Sequence, residues 1–216
     1  MRRIQRITID SSEAITELCV LGRVSLTDKT PYNELPGGHR HPYTAVYSLL
    51  FSQYKYTPVR FVEIGIAAGS SVRMWRSFFQ GEPSPIYAFD RDQNFINHLL
   101  QFGLPGVFAG LMDVSNQNSV SAALAATGGN LDIVLDDSSH TFSDQIKIIH
   151  AAIPFVKSGG MIVIEDVFRN ASEETYETEL ADVLDQFSLA MFIITEHVNR
   201  YSPGWDNDKL LVLIKK

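Results

Sequence analysis

Leu131-Asp-Ile-Val-Leu-Asp136-Asp137-Ser138-Ser139-His140 is the stretch that decides the fold, and Met161-Ile-Val-Ile-Glu165-Asp166 is its companion. Each opens as an apolar run of strand length and ends in acids. Ile146, Ile149 and Ile153 mark a helix between them, with Thr141 and Asp144 at capping-box spacing at its start and Gly159-Gly160 closing it. Buried charge is costly unless it is paired or bound to a metal, so carboxylates in such runs demand a reason. At the carboxyl ends of parallel strands they line a ligand crevice.

Working outward, the same alternation repeats. Val59 to Ile66 reads as a strand and Ser70 to Phe79 as a helix with Val72, Trp75 and Phe79 on one face. Ile86 to Asp90 and Val107 to Met112 are strands. Helices through Phe95, Ile96, Leu99 and Leu100, and over Val120 to Ala126, follow them. A last helix sets Tyr176, Leu180, Val183, Leu184 and Phe187 on one face. The strands Ala190 to Val198 and Leu210 to Ile214 close the chain with no helix between them. Alternating strands and helices predict a doubly wound α/β fold, with a mostly parallel, seven-stranded sheet and a C-terminal antiparallel hairpin at one edge. Residues 1–56 read as a helical and loop cover, with Ser11 or Ser12 capping a helix over Ala14, Ile15, Leu18 and Val20. Residues 57–216 form the ligand-binding domain.

The chain has 216 residues and a formal net charge of −7, so one compact domain is expected and a basic face for nucleic acid is not. Cys19 is the single cysteine, which excludes an internal disulfide and a cysteine-based zinc site. No apolar run approaches membrane-spanning length, and Met1-Arg-Arg-Ile-Gln-Arg leads into no signal-peptide core; a cytoplasmic location is expected.

Phe61-Val-Glu63-Ile-Gly65-Ile-Ala67-Ala68-Gly69-Ser70 is a strand, a glycine turn and a helix start, a place where the backbone approaches a ligand closely. Asp90 ends the next strand, where an acid can accept both hydroxyls of a ribose, and Asp113 ends the third, within reach of an adenine amino group. A lone Gly-x-x-x-Gly is most often only a turn. With acids on three successive strands, the set resembles the nucleoside-binding motifs of class I S-adenosylmethionine-dependent methyltransferases, a Rossmann-like fold. That resemblance runs from Val59 onward and implies S-adenosylmethionine held by Glu63, Gly65, Ala67, Gly69, Ser70, Asp90, Asp113 and Asp136.

Asp137-x-x-His140 and Glu165-Asp166 end adjacent strands. Carboxylate oxygens suit Mg2+ or Mn2+ better than zinc, so Asp137, Glu165 and Asp166 are candidate ligands, with room for two substrate oxygens. His140 is the candidate base, its ordinary pKa being about 6.5. Acids at helix starts also arise as simple caps, a reading that accounts for one per strand end but not for four.

Asp136-Asp137-Ser138-Ser139-His140 with Glu165-Asp166 resembles the metal-dependent deoxysugar O-methyltransferases of macrolide biosynthesis, as do Thr27-Asp28-Lys29, His41-Pro-Tyr43 and Ser71-Val-Arg73-Met74-Trp75-Arg76. The family has a glycine where Ser138 stands, and its long N-terminal domain has no counterpart in this sequence. The resemblance implies methylation of a sugar hydroxyl in a vicinal diol, with rhamnose as an example acceptor, Asp137 and His140 as catalytic residues, and Asp137, Glu165 and Asp166 on the metal. A homo-oligomer or a fusion to other glycan-assembly domains is compatible with it. A catechol-type O-methyltransferase needs the same metal and diol, and a silent cofactor-binding module would need none of these acids together. His39 and His41 read as loop residues for want of a third ligand. Lys29 and Tyr43 either reach the cofactor's carboxylate or pack the cover. Tyr201 and Trp205 lie in the last loop, where an aromatic can stack on a sugar.

Overall fold

The computed structural model describes residues 3–216, so Met1 and Arg2 of the N-terminal stretch lie outside the described residues. In chain order the elements are β1 (Gln5–Asp10), α1 (Glu17–Ser25), α2 (Tyr43–Phe51), β2 (Phe61–Ile64), α3 (Ser70–Phe78), β3 (Ile86–Asp90), α4 (Gln93–Gln101) and β4 (Val107–Leu111). They continue with α5 (Gln117–Ala126), β5 (Leu131–Asp136), α6 (Phe142–Ala152), β6 (Val156–Ile164), α7 (Glu173–Glu179), β7 (Phe187–Glu196) and β8 (Lys209–Lys215). They build one eight-stranded sheet in the order β1-β7-β8-β6-β5-β2-β3-β4.

The sheet is parallel except at β8, which runs antiparallel to both β6 and β7. Successive strands β2, β3 and β4 step outward one way, and β5 and β6 step the other way from β2. The reversal between β2 and β5 is the topological switch point, where a doubly wound sheet opens a crevice beyond its strand ends. Because helices cover both faces, central strands are apolar on both sides. Phe61, Ile133 and Leu135 enter one core with Tyr47, Phe51 and Trp75, while Val62, Ile64 and Val134 enter the other with Val120, Leu124, Ile148 and Ile149. This is the two-residue alternation of extended chain.

Several sequence expectations change. The sheet has eight strands rather than seven, because Gln5–Asp10 pairs in parallel with β7. The hairpin therefore is not the edge; β1 is, and part of the expected cover belongs to the sheet. This edge strand carries polar residues at alternate positions and lies largely exposed, which leaves little apolar signal. Helix α1 is capped by Thr16, whose hydroxyl accepts from Cys19 N at 3.3 Å, so Ala14 and Ile15 precede it. Gly159 and Gly160 lie inside β6 and do not close a helix; a Cβ on Gly160 would come within 2.8 Å of Leu131 O. The last helix stops at Glu179, and a 3-10 turn over Leu184–Gln186 leads to Phe187 at the start of β7. Leu180, Val183, Leu184 and Phe187 are all buried, since a tight turn satisfies their spacing as a helix would.

Among the described residues no helix is long and apolar enough to cross a membrane.

Phe51 ties α2 to the sheet. It is fully buried, stacks on Tyr47 at 5.0 Å and meets Trp75 and Phe61 edge-on. Phe51→Ala should cost about 3–5 kcal/mol in urea denaturation, because the rigid aromatic neighbours cannot collapse into the hole. A loss under about 1 kcal/mol would mean that α2 is not packed as a unit on β2.

Candidate active site

Beyond the switch point the chain leaves β2 at Gly65, which has φ of +85°. A Cβ there would lie 2.1 Å from Asp137 O, so this position admits only glycine while the β5 loop stays in place. The next amides are fixed by β3: Asp90 Oδ2 accepts from Ile66 N at 3.0 Å and from Ala67 N at 3.2 Å. Gly69, at φ of +76°, then starts α3. The outcome is a backbone cradle over a cavity of about 870 Å³ whose lining includes Gly65, Ala67, Ser70, Asp90, Asp113, Asp137 and His140.

Three residues expected at the cofactor do not line that cavity. Gly69 acts through backbone geometry; a Cβ there would meet Leu99 Cδ1 at 2.8 Å. Glu63 is fully buried beneath the turn, where it accepts from Trp75 Nε1 at 3.1 Å. Asp136 is buried too and accepts from Ser138 Oγ at 2.5 Å. Burial pushes both carboxyls up to about 7, with Lys29 pulling Glu63 back and Ser138 pulling Asp136 back. Asp113 does line the cavity, with Oδ1 accepting from Ser115 N at 3.0 Å.

At the ends of β5 and β6 the acids meet groups from the N-terminal segment. Lys29 Nζ is 1% exposed; it donates to Asp137 Oδ2 and to Glu165 Oε2, the latter at 2.6 Å, and lies 3.6 Å from Glu63 Oε1. Burial opposes its charge, but Asp137, Glu165 and Glu63 outweigh that and hold the ammonium well above the ordinary lysine range. Tyr47 donates to Glu165 Oε1 at 2.5 Å, so both oxygens of Glu165 are engaged. Tyr43 donates to Asp166 Oδ1 at 2.6 Å.

Glu165, read from the sequence as a metal ligand, is thus turned toward Lys29 and Tyr47. Asp137, His140 and Asp166 instead offer ligand atoms that all lie within 4.8 Å of one another. His140 Nδ1 is buried without a hydrogen-bond partner, 3.4 Å from Asp166 Oδ2. Two carboxylate side chains there suit a divalent cation of the magnesium or manganese kind, and the unpartnered nitrogen beside them is left to take a proton. His140 and Asp166 both have φ of +55°, which turns their side chains toward each other.

Lys29 touches the acids and does not line the cavity, so of the two roles weighed from sequence its contacts are those that seat the N-terminal cover on the sheet. Tyr47, His41 and Asp208 were not legible as site residues. His41 Nδ1 lies 2.8 Å from Asp208 Oδ1 and 3.7 Å from Asp166 Oδ1, and its ring stacks on Tyr43. A His-x-Tyr pair in an otherwise polar loop is the weak signal that pointed there.

The sheet order and the switch-point cradle share the fold of class I methyltransferases. Residues 62–167 match the family model described as a methyltransferase domain. Over 140 residues the chain is 34% identical to demethylmacrocin O-methyltransferase of Streptomyces fradiae, a match covering 61% of this chain and 33% of that protein. It is 32% identical over 140 residues to mycinamicin VI 2''-O-methyltransferase of Micromonospora griseorubida, again with 61% and 33% covered. The match therefore spans about a third of the length of these curated relatives. The solved structure of the MycE methyltransferase of the mycinamycin biosynthetic pathway, in complex with Mg and SAH, shares the fold. Its TM-score is 0.68 at 23% identity, covering 94% of this chain and 55% of that one.

His41 gives the site a pH signature. Burial alone would lower its pKa, but Asp166 and Asp208 raise it to about 9. A raised folded pKa stabilises fully below the ordinary value near 6.5, and the stabilisation fades as pH climbs through about 9. We expect about 3 kcal/mol of folding stability to be lost between those limits, measured by urea denaturation at fixed pH steps. His41→Gln should flatten that part of the profile; an unchanged slope would remove His41 as its source.

Proposed function

We propose that this chain is an S-adenosylmethionine-dependent O-methyltransferase that uses a divalent ion and acts on a sugar hydroxyl within a vicinal diol. The observation that carries this reading is the convergence of Asp137, His140 and Asp166 at the edge of the cavity that opens at Gly65. The likeness to two macrolide-pathway O-methyltransferases supports the sugar as acceptor.

When bound, S-adenosylmethionine supplies a methyl group already activated on a sulfonium, and the ion supplies positive charge that makes a nearby hydroxyl more acidic. What remains for the protein is alignment and removal of a proton. The Gly65 to Ser70 backbone would hold the amino-acid end of the cofactor, and Asp90 would accept from its ribose. Asp137 and Asp166 would hold the ion. Glu165 stays behind them, fixed by Lys29 and Tyr47. His140 receives the hydroxyl proton at Nδ1, where Asp166 Oδ2 stabilises the imidazolium.

Three measurements test this. Calorimetry should detect S-adenosylhomocysteine binding, and Asp90→Ala should weaken it by roughly 1.5–3 kcal/mol, the usual worth of a hydrogen bond to a charged group. Unchanged affinity in that variant would take Asp90 out of the site.

Methyl transfer to rhamnosides should stop on exhaustive chelation and return with Mg2+ or Mn2+. Full turnover without the ion would leave the acids as helix caps.

His140→Ala should lower turnover on the order of 10²–10³-fold, because a base acts only in the transition state. Its Mn2+ and S-adenosylhomocysteine affinities should stay close to the parent's. A large loss of Mn2+ affinity instead would make His140 a ligand and send the proton elsewhere.

A further inference from the structure

Trp205 stands in the loop between β7 and β8 and is 45% exposed, although Phe168 stacks against it with ring centroids 5.5 Å apart and planes 21° apart. The indole also meets the His140 ring nearly at right angles, 6.2 Å between centroids.

The loop that carries it is fixed on several sides. Trp205 N donates to Ser202 O at 3.1 Å, Ser202 Oγ donates to Asn207 Oδ1 at 3.0 Å, and Arg169 N donates to Asp206 O at 2.8 Å. Arg200 Nη1 reaches Asp206 Oδ1 at 3.3 Å. A half-exposed indole held rigid next to a candidate base differs from the scattered exposed aromatics of an ordinary surface. Its loop neighbours are hydroxyl, carboxylate and guanidinium groups. One flat apolar platform with a polar rim matches a pyranose ring, which has an apolar C–H face and hydroxyls around its edge. A flat aromatic acceptor would call for a second apolar wall, and the loop around Trp205 is built of Ser202, Asp206 and Asn207.

We infer that Phe168 and Trp205 form the acceptor platform, with the exposed indole taking the C–H face of a pyranoside so that a rim hydroxyl meets His140. This rests on the methyltransferase reading above and assigns the residues that select its substrate class.

The test uses the full chain loaded with S-adenosylhomocysteine and Mg2+, with methyl α-L-rhamnopyranoside as the probe. The chain has two tryptophans and Trp75 is fully buried, so a change in tryptophan emission on titration reports on Trp205. Saturation-transfer NMR gives the affinity in variants that lack the indole. Trp205→Ala should bind the rhamnoside about tenfold more weakly, and Trp205→Phe should recover most of that loss. Both should keep the parent's S-adenosylhomocysteine affinity by calorimetry, which also shows that they fold.

Equal rhamnoside affinity in parent and Trp205→Ala would overturn the platform. So would a Trp205→Ala variant with normal affinity but a displaced pH profile for transfer, which would make Trp205 a positioning residue for His140. Tighter binding of catechol than of the rhamnoside would overturn the carbohydrate assignment. Binding of S-adenosylhomocysteine without any rhamnoside binding would sink this inference and leave the cofactor reading standing, whereas failure to bind S-adenosylhomocysteine would sink both.

Discussion

The buried ammonium of Lys29 is the interaction on which the rest of the site depends. It reaches carboxylates at the ends of three strands: Glu63 on β2, Asp137 just past β5 and Glu165 just past β6. Bringing three acids together in a dry place is untenable without a counter-charge, since an uncompensated buried charge costs several kcal/mol. The lysine comes from the segment between α1 and α2, so the same contact that neutralises the strand ends also seats that segment on the sheet. Tyr43 and Tyr47 on α2 then take Asp166 and Glu165 by hydroxyl. The N-terminal cover is therefore part of the site's electrostatics.

Backbone strain gathers at the same place. The non-glycine residues with positive φ are Leu26, Ala67, Asn130, His140 and Asp166. Leu26, Ala67 and His140 border the cavity, and Asp166 faces His140. Each left-handed L-residue costs roughly 1–2 kcal/mol, and such costs persist where surrounding structure over-determines the conformation. Here the over-determination is visible. Asp90 clamps the Ala67 amide, and Gly65 packs so closely on Asp137 that the β5 loop has no room to relax.

Those constraints explain what the sequence discloses and what it hides. Strands β2 to β6 and their acidic ends are legible because a buried parallel strand must be an apolar run, and because carboxylates at its end contradict burial unless they have a task. The glycine turn is legible for the same local reason. Strand β1 is not, since an exposed edge strand buries too little to leave a pattern. Lys29 is hidden for a different cause: its partners Asp137 and Glu165 lie 108 and 136 positions away, and no local periodicity encodes a charge pair at that distance. The turn of Glu165 toward Lys29 and Tyr47 follows from the same hidden contact. Four acids alone suggest a metal; with a lysine among them, part of their charge is already answered by the protein.

That division follows depth. Glu63 and Asp136 lie wholly under the surface, and burial pushes both to about 7. Glu63 takes the Trp75 indole N–H on Oε1, Asp136 takes Ser138 on Oδ1, and neither side chain lines the cavity. Glu165, also buried, spends one oxygen on Lys29 and the other on Tyr47. Asp137 and His140 stand nearer the rim, with side chains 22% and 25% exposed, and Asp166 keeps one oxygen facing His140. Lys29 and Tyr47 take both oxygens of the deep Glu165, while Asp137 shares the same ammonium through Oδ2 and still stands nearer the rim. In the reading proposed above, an ion would be held by Asp137 and Asp166, beside the rim that Asp137 and His140 form, and not by Glu63 or Asp136 beneath the turn. A site graded in this way sets the carboxylate of Asp137 and the imidazole of His140 where the cavity reaches them and keeps Glu63, Asp136 and Glu165 behind them.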